Sequence, residues 1–586
     1  MSDETPAVQT PADAASEMNL SRQGLNVVLC WHMHQPQYQD RPNGEYQLPW
    51  TYLHAIKDYT DMAAHLEAEP GARAVVNFAP ILLEQLDDYS RQVQAFLSDG
   101  EPIRDPFLAA LAQPVLPSDP HRRLTLVSEC LRANEQRLIH RFEPYARLAR
   151  LARCFVEQPD AALYISDAFL VDLLMWYHLA WLGETIRRGN ADVKRLINKA
   201  SHYSQRDRRS LLKIIGESLS GILPRYRALA ERGQVELSVT PYAHPIVPLL
   251  LDIRSAREAM PDVALPEMEH YPGGEERVRW HLQKGIETFQ RYFGFTPTGC
   301  WPSEGSVSSA SLAFFREAGF RWVASGENVL SNSLALAENQ RDDGEARSHH
   351  RAYRVQGLPP TCFFRDDGLS DLVGFTYSTW HADDAVANLC SHLETIAEAC
   401  ADEPDAVVPI VLDGENAWEH YPENGFYFLS ALYRELSAHP AINLTTFSAC
   451  LDNGLSAGEL ERLVAGSWVY GSFSTWIGDR DKNRAWDMLG DAKRAFDEAV
   501  ASGRLSDRQL ANAERQLAVC EGSDWFWWFG DYNPAESVSD FEHLFRQQLS
   551  ALYQILGEEA PEYLSHVFAR GGGSPQHGGV MRRGSE

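Results

Sequence analysis

From residue 25 onward, short runs that are apolar throughout alternate with longer stretches whose apolar positions keep helical spacing. The short runs lie at 25–30, 74–78, 235–239, just before Pro302, 320–324, 406–412 and 442–446, about seven in all. An unbroken apolar run suits a strand of a parallel sheet, which is covered on both faces. Amphipathic spacing predicts helices over about 80–232, 275–292 and 307–319. Strand and helix alternating in this way predict an α/β fold, best fitted by a (β/α) barrel with a helical insertion at about 81–232. A polar stretch at 328–350 and an aromatic one at 362–378 are expected to be insertions as well. Beyond residue 455 the pattern predicts helices alone, over 481–502, 506–520 and 537–556.

The expected organisation is a polar leader at 1–22, a barrel at 23–455, a C-terminal helical domain at 456–570 and a flexible Gly-rich tail at 571–586. The leader has neither the basic start nor the apolar core of a signal peptide, and no apolar run reaches the length of a membrane span. The nine cysteines are scattered, with no Cys-x-x-Cys pair. That usage is expected of thiols in a reducing compartment, so a cytoplasmic location is expected, with no membrane partner. A net charge of −28 repels phosphate backbones and argues against nucleic acid, whereas a neutral polymer meets no such repulsion.

In (β/α) barrels chemistry gathers where strands end, and the unusual polar clusters fall there. Glu304 closes Gly299-Cys-Trp-Pro-Ser-Glu, and Asp413 follows the apolar run that ends at Leu412. A pair of carboxyl groups carried by rigid strands is what cleavage of a glycosidic bond requires, one to protonate the leaving oxygen and one to act at the anomeric carbon. The ordinary alternative for each is a helix cap or a turn. Density favours chemistry in the second case, because Asp413, Glu415, Asn416, Trp418, Glu419 and His420 crowd one short loop. His32 and His34 alternate along an extended segment and share a face. They could ligate a metal in a deacetylase- or mannosidase-like barrel, donate hydrogen bonds to sugar hydroxyls, or satisfy a polar strand end. Spacing supplies no third ligand, so neither a metal nor a cofactor is expected. Glu236 with Tyr242-Ala-His244-Pro forms another polar strand end. Ser523-Asp-Trp-Phe-Trp-Trp-Phe-Gly-Asp531 shows neither helical nor strand periodicity, and its rings either stack on sugars or seal the helical part against the barrel; Trp468, Tyr470, Phe473 and Trp476 allow the same two readings.

Four of these segments, in order, resemble the motifs of glycoside hydrolase family 57: His34-Gln-Pro36, Gly233-Gln-Val-Glu-Leu237, Gly299-Cys-Trp-Pro-Ser-Glu304 and Asp413-Gly-Glu-Asn-Ala-Trp418. The resemblance spans about residues 25–450 and implies an incomplete (β/α)7 barrel followed by helices, α-glucan substrates and a retaining mechanism. It implies Glu304 as nucleophile and Asp413 as general acid/base, with His32, His34, Glu236, His244, Trp301 and Trp418 lining sugar subsites. Within the family the long helical insertion and the Trp-rich segment look most like amylopullulanase-type members acting on α-1,4 and α-1,6 bonds. The alternatives are a 4-α-glucanotransferase or branching enzyme and, more remotely, a metal-dependent barrel hydrolase or a non-catalytic glycan-binding protein.

Overall fold

In the computed structural model the described residues are 24–40, 44–338, 349–573 and 580–584. The leader at 1–22 lies outside them, as does part of the polar stretch expected as an insertion. Ten strands form one sheet: β1 (Leu25–Met33), β2 (Ala74–Phe78), β3 (Val235–Val239), β4 (Gly299–Cys300), β5 (Trp322–Gly326), β6 (Tyr353–Val355), β7 (Leu358–Arg365), β8 (Val407–Asp413), β9 (Ile442–Thr445) and β10 (Gly458–Leu460). The order is β10-β6-β7-β5-β4-β3-β2-β1-β8 with β9 also on β1, and every pairing is parallel except β6 with β7. β1 manages three partners by dividing its length: Leu25–Val28 pair with β9, and Cys30–Met33 pair with β2 on the same side. The sheet curls so that the end of β7 meets β8, where the Asp366 N–H donates to the Pro409 carbonyl at 2.8 Å.

Two expectations change. The aromatic stretch at 362–378 is no insertion, because its first part belongs to β7, which sits beside β5 in register. Two prolines open that strand, and the apolar run they interrupt hides the strand from a reading based on continuity. Residues 458–460 add a short strand where only helices were expected. The helices Arg480–Ala501, Asp507–Cys520 and Ala535–Leu556 then follow as the spacing predicts.

Residues 580–584, expected as flexible tail, pack back on the folded chain. The Gly584 carbonyl accepts from Tyr470 N–H at 2.9 Å and from Asn328 Nδ2 at 3.1 Å. Seven of the nine cysteines are buried. Among the described residues no helix is long and apolar enough to cross a membrane.

The parallel register sets one row of side chains at the sheet's C-terminal end. Asp413 on β8 stands opposite His32 on β1, His32 opposite Asn77 on β2, and Asn77 opposite Ser238 on β3. Residues in register across parallel strands point to the same face, so the pairing alone gathers this polar row.

Candidate active site

Asp413 is the last residue of β8, and the turn after it is held by the Gly414 N–H donating to the His32 carbonyl at 2.7 Å. A side chain at position 414 would run into Met33 Sδ at 2.2 Å, so glycine is required for β8 to approach β1 this closely. Asn416 Nδ2 donates to Asp413 Oδ2 at 2.8 Å. Glu304 follows β4 in a tight turn with φ +58°, a left-handed conformation uncommon outside glycine. Its carbonyl accepts from Trp468 N–H at 3.0 Å, its Oε2 accepts from the Trp468 indole N–H at 3.0 Å, and Ser523 Oγ lies 3.3 Å from Oε1. His244, after β3, is left-handed too, with φ +62°. Strained backbone at two neighbouring polar residues is the pattern of a built site.

The three histidine rings lie nearly parallel, His34 face to face with His244, and His32 meeting His244 through their Nε2 atoms 3.1 Å apart. The His34 and His244 rings lie 3.9 Å apart at 16°, and His32 and His244 5.1 Å apart at 17°. His34 Nε2 meets Asp524 Oδ1 at 2.8 Å. Burial, followed by repulsion from His34 and His32, drives the His244 pKa well below the ordinary histidine value. Burial and His34 likewise lower His32 to about 3, so both rings are neutral at physiological pH. One ligand atom each from His34, His244 and Asp524 lies within 4.8 Å of the other two. Imidazole lone pairs lie in the ring plane, however, and two rings stacked face to face do not aim them at a common point. The set therefore fits a metal ion poorly.

Burial also raises both carboxylic acids. Glu304 is pushed up to about 8 by burial and then by the charges of Asp413 and Asp524, against the Trp468 and Ser523 hydrogen bonds. Burial raises Asp413 to about 6, against the pull of Asn416, His34 and Arg365. Around neutral pH the pair therefore holds one proton between its two carboxyl groups, and burial holds it mainly on Glu304.

Both acids, His32, His34 and His244 face one cavity of about 590 Å³. One wall comes from the N-terminal and inserted helices (Trp50, Arg132, Trp181) and the opposite wall from the C-terminal part (Trp468, Trp527, Trp528, Phe541). Arg132 joins the walls, paired with Asp540 at 2.8 Å and lying over the Trp50 ring.

Three expected site residues stand elsewhere. Glu236, near the start of β3, is buried away from the cavity and accepts from Trp322 Nε1 at 2.7 Å and Ser448 N–H at 2.9 Å. Trp301 is fully buried behind Trp468, their rings 5.2 Å apart. Trp418 is buried beside Trp31 and donates to the Gly414 carbonyl at 2.9 Å. None of the three lines the cavity; Trp301 backs Trp468, Trp418 holds the turn after Asp413, and Glu236 ties β3 to β5 and to the segment after β9. Ser523 and Asp524 read in the sequence only as the leading pair of an aromatic run. That run is a short helix, Ser523–Trp528, which turns Asp524, Trp527 and Trp528 to the cavity and packs Trp525 and Phe526 against Trp486, Phe541 and Phe545 of the C-terminal helices. Asn77 left a readable sign, a lone amide inside an apolar strand.

The model of glycosyl hydrolase family 57 matches residues 28–457. The chain belongs to glycosyl hydrolase family 57. As a family 57 protein it is an enzyme of the glycoside hydrolase class, and the match runs through both carboxylic acids and all three histidines. The fold is shared with solved structures over nearly the whole chain. A family 57-type branching enzyme from the archaeon Pyrococcus horikoshii is 18% identical, with TM-score 0.55 over 92% of this chain and 93% of its own. A family 57 branching enzyme from Thermococcus kodakaraensis is 15% identical, with TM-score 0.55 over 91% and 90%. An α-amylase from Thermotoga maritima is 13% identical, with TM-score 0.52 over 92% and 96%.

Proposed function

We propose that this family 57 enzyme cleaves α-glucans by a retaining double displacement, with Glu304 as nucleophile and Asp413 as general acid/base. The observation that carries the reading is the placement of the two acids at the ends of β4 and β8 of the curled sheet, both facing one aromatic-walled cavity in which burial leaves them a single proton. In the first step Glu304 attacks the anomeric carbon while Asp413 gives its proton to the leaving oxygen; in the second Asp413 takes a proton from water, which displaces Glu304. This requires the shared proton on Asp413. Positive charge developing at the anomeric carbon beside Glu304 favours the Glu304 carboxylate and so leaves the proton on Asp413.

Trp468, Trp527, Trp528 and Phe541 offer ring faces on which sugars stack, and His34 Nδ1, buried with no hydrogen-bond partner, can meet a sugar hydroxyl group. The seven parallel strands β1, β2, β3, β4, β5, β7 and β8 form the incomplete (β/α)7 barrel in this reading. Residues 456–570 then act as a helical domain that completes the cleft.

A second reading has a sugar hydroxyl replace water in the second step. The names of the two branching enzymes with the same fold support it. Incubation with amylose, pullulan and glycogen, with products resolved by linkage, separates the readings: new reducing ends of retained configuration mark hydrolysis, and new α-1,6 linkages without them mark transfer. Glu304→Gln and Asp413→Asn should each lower turnover by several orders of magnitude with folding intact. Near-normal activity in either variant, or inverted product, sinks the assignment.

A further inference from the structure

A continuous row of hydrogen-bonding groups runs from Glu304 into the sheet. Ser523 Oγ lies 3.3 Å from Glu304 Oε1 and 2.8 Å from His244 Nδ1. His244 Nε2 faces His32 Nε2 at 3.1 Å, and His32 Nδ1 faces the Asn77 amide at 2.7 Å. With both histidines neutral, each ring has one N–H and one lone pair, so the hydrogens along the row can be ordered in only two ways.

In the first ordering Asn77 Oδ1 accepts from His32 Nδ1–H, His32 Nε2 accepts from His244 Nε2–H, and His244 Nδ1 accepts from the Ser523 hydroxyl. Ser523 Oγ is then left as an acceptor, and the group that fills it is a protonated Glu304. In the second, every donor turns round. The Asn77 amide rotates to donate to His32, His32 Nε2–H donates to His244, His244 Nδ1–H donates to Ser523, and the Ser523 hydroxyl donates to an ionised Glu304. One proton separates the two orderings: the net loss is from the Glu304 carboxyl to solvent, and because the Asn77 amide can hold no proton, the His32 and His244 hydrogens change nitrogen by exchange with solvent and not by relay through Asn77. The far end accommodates both. Thr240 Oγ1 lies 2.8 Å from Asn77 Oδ1 and 2.9 Å from the Trp301 carbonyl, and Asn77 Nδ2 lies 3.0 Å from the Ser238 hydroxyl. These two hydroxyl groups can exchange donor and acceptor roles as the amide turns.

We propose that Ser523 is the positioning residue that ties the ionisation of Glu304 to the tautomers of His244 and His32, so that the nucleophile and the sugar-facing histidines change their hydrogen-bonding character together. The inference deepens the reading of Glu304 as nucleophile and rests on it. Its consequence is specific: only with Glu304 ionised does His32 Nε2 carry a hydrogen and His244 Nε2 a lone pair. Other groups act on Glu304 as well. Asp413 on β8 and Asp524 on the Ser523–Trp528 helix raise its pKa, and the Trp468 indole lowers it, while His34 acts on Asp413. None of these passes through Ser523, and so removing the hydroxyl separates the row from the rest.

The test is nitrogen-15 histidine NMR of the full chain over the pH range in which Glu304 titrates, alongside an infrared titration of its carboxyl, assigned by its loss in Glu304→Gln. In the wild type His244 should change from the Nε2–H to the Nδ1–H tautomer in step with Glu304, without becoming charged. In Ser523→Ala, with melting temperature checked, the tautomer should no longer follow pH and the Glu304 pKa should rise by about one unit, since a lost hydrogen bond to a carboxylate amounts to roughly that shift. The alkaline limb of the rate profile, which reports the Glu304 ionisation, should move up by the same amount, with kcat falling about tenfold between the limbs and KM little changed. A His244 that keeps one tautomer throughout in the wild type, a tautomer that still switches in Ser523→Ala, or an unmoved Glu304 pKa in that variant overturns the proposal. The NMR needs no sugar, so a protein that shows the switch yet cleaves no glucan would retract the proposed activity and leave the coupling standing.

Discussion

Trp468 grips Glu304 at both ends, its backbone N–H donating to the Glu304 carbonyl and its indole N–H to Oε2, each at 3.0 Å. The first bond helps hold a left-handed backbone that a glutamate adopts reluctantly, and the second directs the carboxylate into the cavity. A residue from outside the strands thus fixes a group that a strand delivers.

Trp468→Phe keeps the ring against Trp301 and the backbone bond but removes the indole donor. A hydrogen bond to a charged group is worth about 1.5–3 kcal/mol, so kcat is expected to fall roughly tenfold to a hundredfold. Steady-state kinetics check this. A drop confined to KM would place Trp468 in sugar binding alone.

The rate profile is expected to be bell-shaped. Below about 6 both acids are protonated and no nucleophile exists; above about 8 both are ionised and no acid remains. The active species is the singly protonated pair, so kcat/KM should peak between these values. A profile flat across pH 5–9 would show that the two groups do not share a proton.

How much of this could be read from the chain alone follows from the kind of constraint each residue carries. β8 is legible because burial on both faces demands an unbroken apolar run, β1 and β2 because their runs are apolar but for one asparagine each before the polar end, and β3 by its alternating Val235, Leu237 and Val239; Asp413 is legible because it ends the β8 run. β7 was missed where two prolines begin it. Trp301, Trp418 and Glu236 carry the look of site residues, but none lines the cavity: Trp301 backs Trp468, and Glu236 ties β3 to the segment after β9. The partners that hold Glu304 come from Trp468 and Ser523, more than 160 residues further along the chain, and no local pattern announces a contact at that separation.

Glu304→Gln should raise stability, with the gain depending on pH. The folded carboxyl has its pKa raised from 4.5 to about 8, so between these values the unfolded chain gives up its proton while the folded one keeps it. Folding stability contributed by this group is therefore intact below 4.5, falls as pH rises, and levels off above about 8. Replacing the acid by its neutral isostere removes that loss, on the order of a few kcal/mol at most. Melting scans should show Glu304→Gln ahead of the wild type at pH 9 and level with it at pH 4. Equal melting temperatures at both would mean that Glu304 ionises freely in the fold.

Asp524→Asn tests the acid that lies beyond the reacting pair. The Asp524 charge raises the Glu304 pKa, and its Oδ1 meets His34 Nε2 at 2.8 Å. Asparagine keeps an oxygen at that place, so the His34 ring can remain in its stack, while the negative charge is lost. Without that charge Glu304 ionises more readily. Its pKa should fall, and the alkaline limb of kcat/KM, which reports the second ionisation of the pair, should move to lower pH. Charge acts here across a buried, weakly screened site, so a shift of about half to one unit is expected, little affected by added salt. If the limb stays in place while KM rises, Asp524 serves to orient His34 toward the sugar, and its charge is not felt at Glu304.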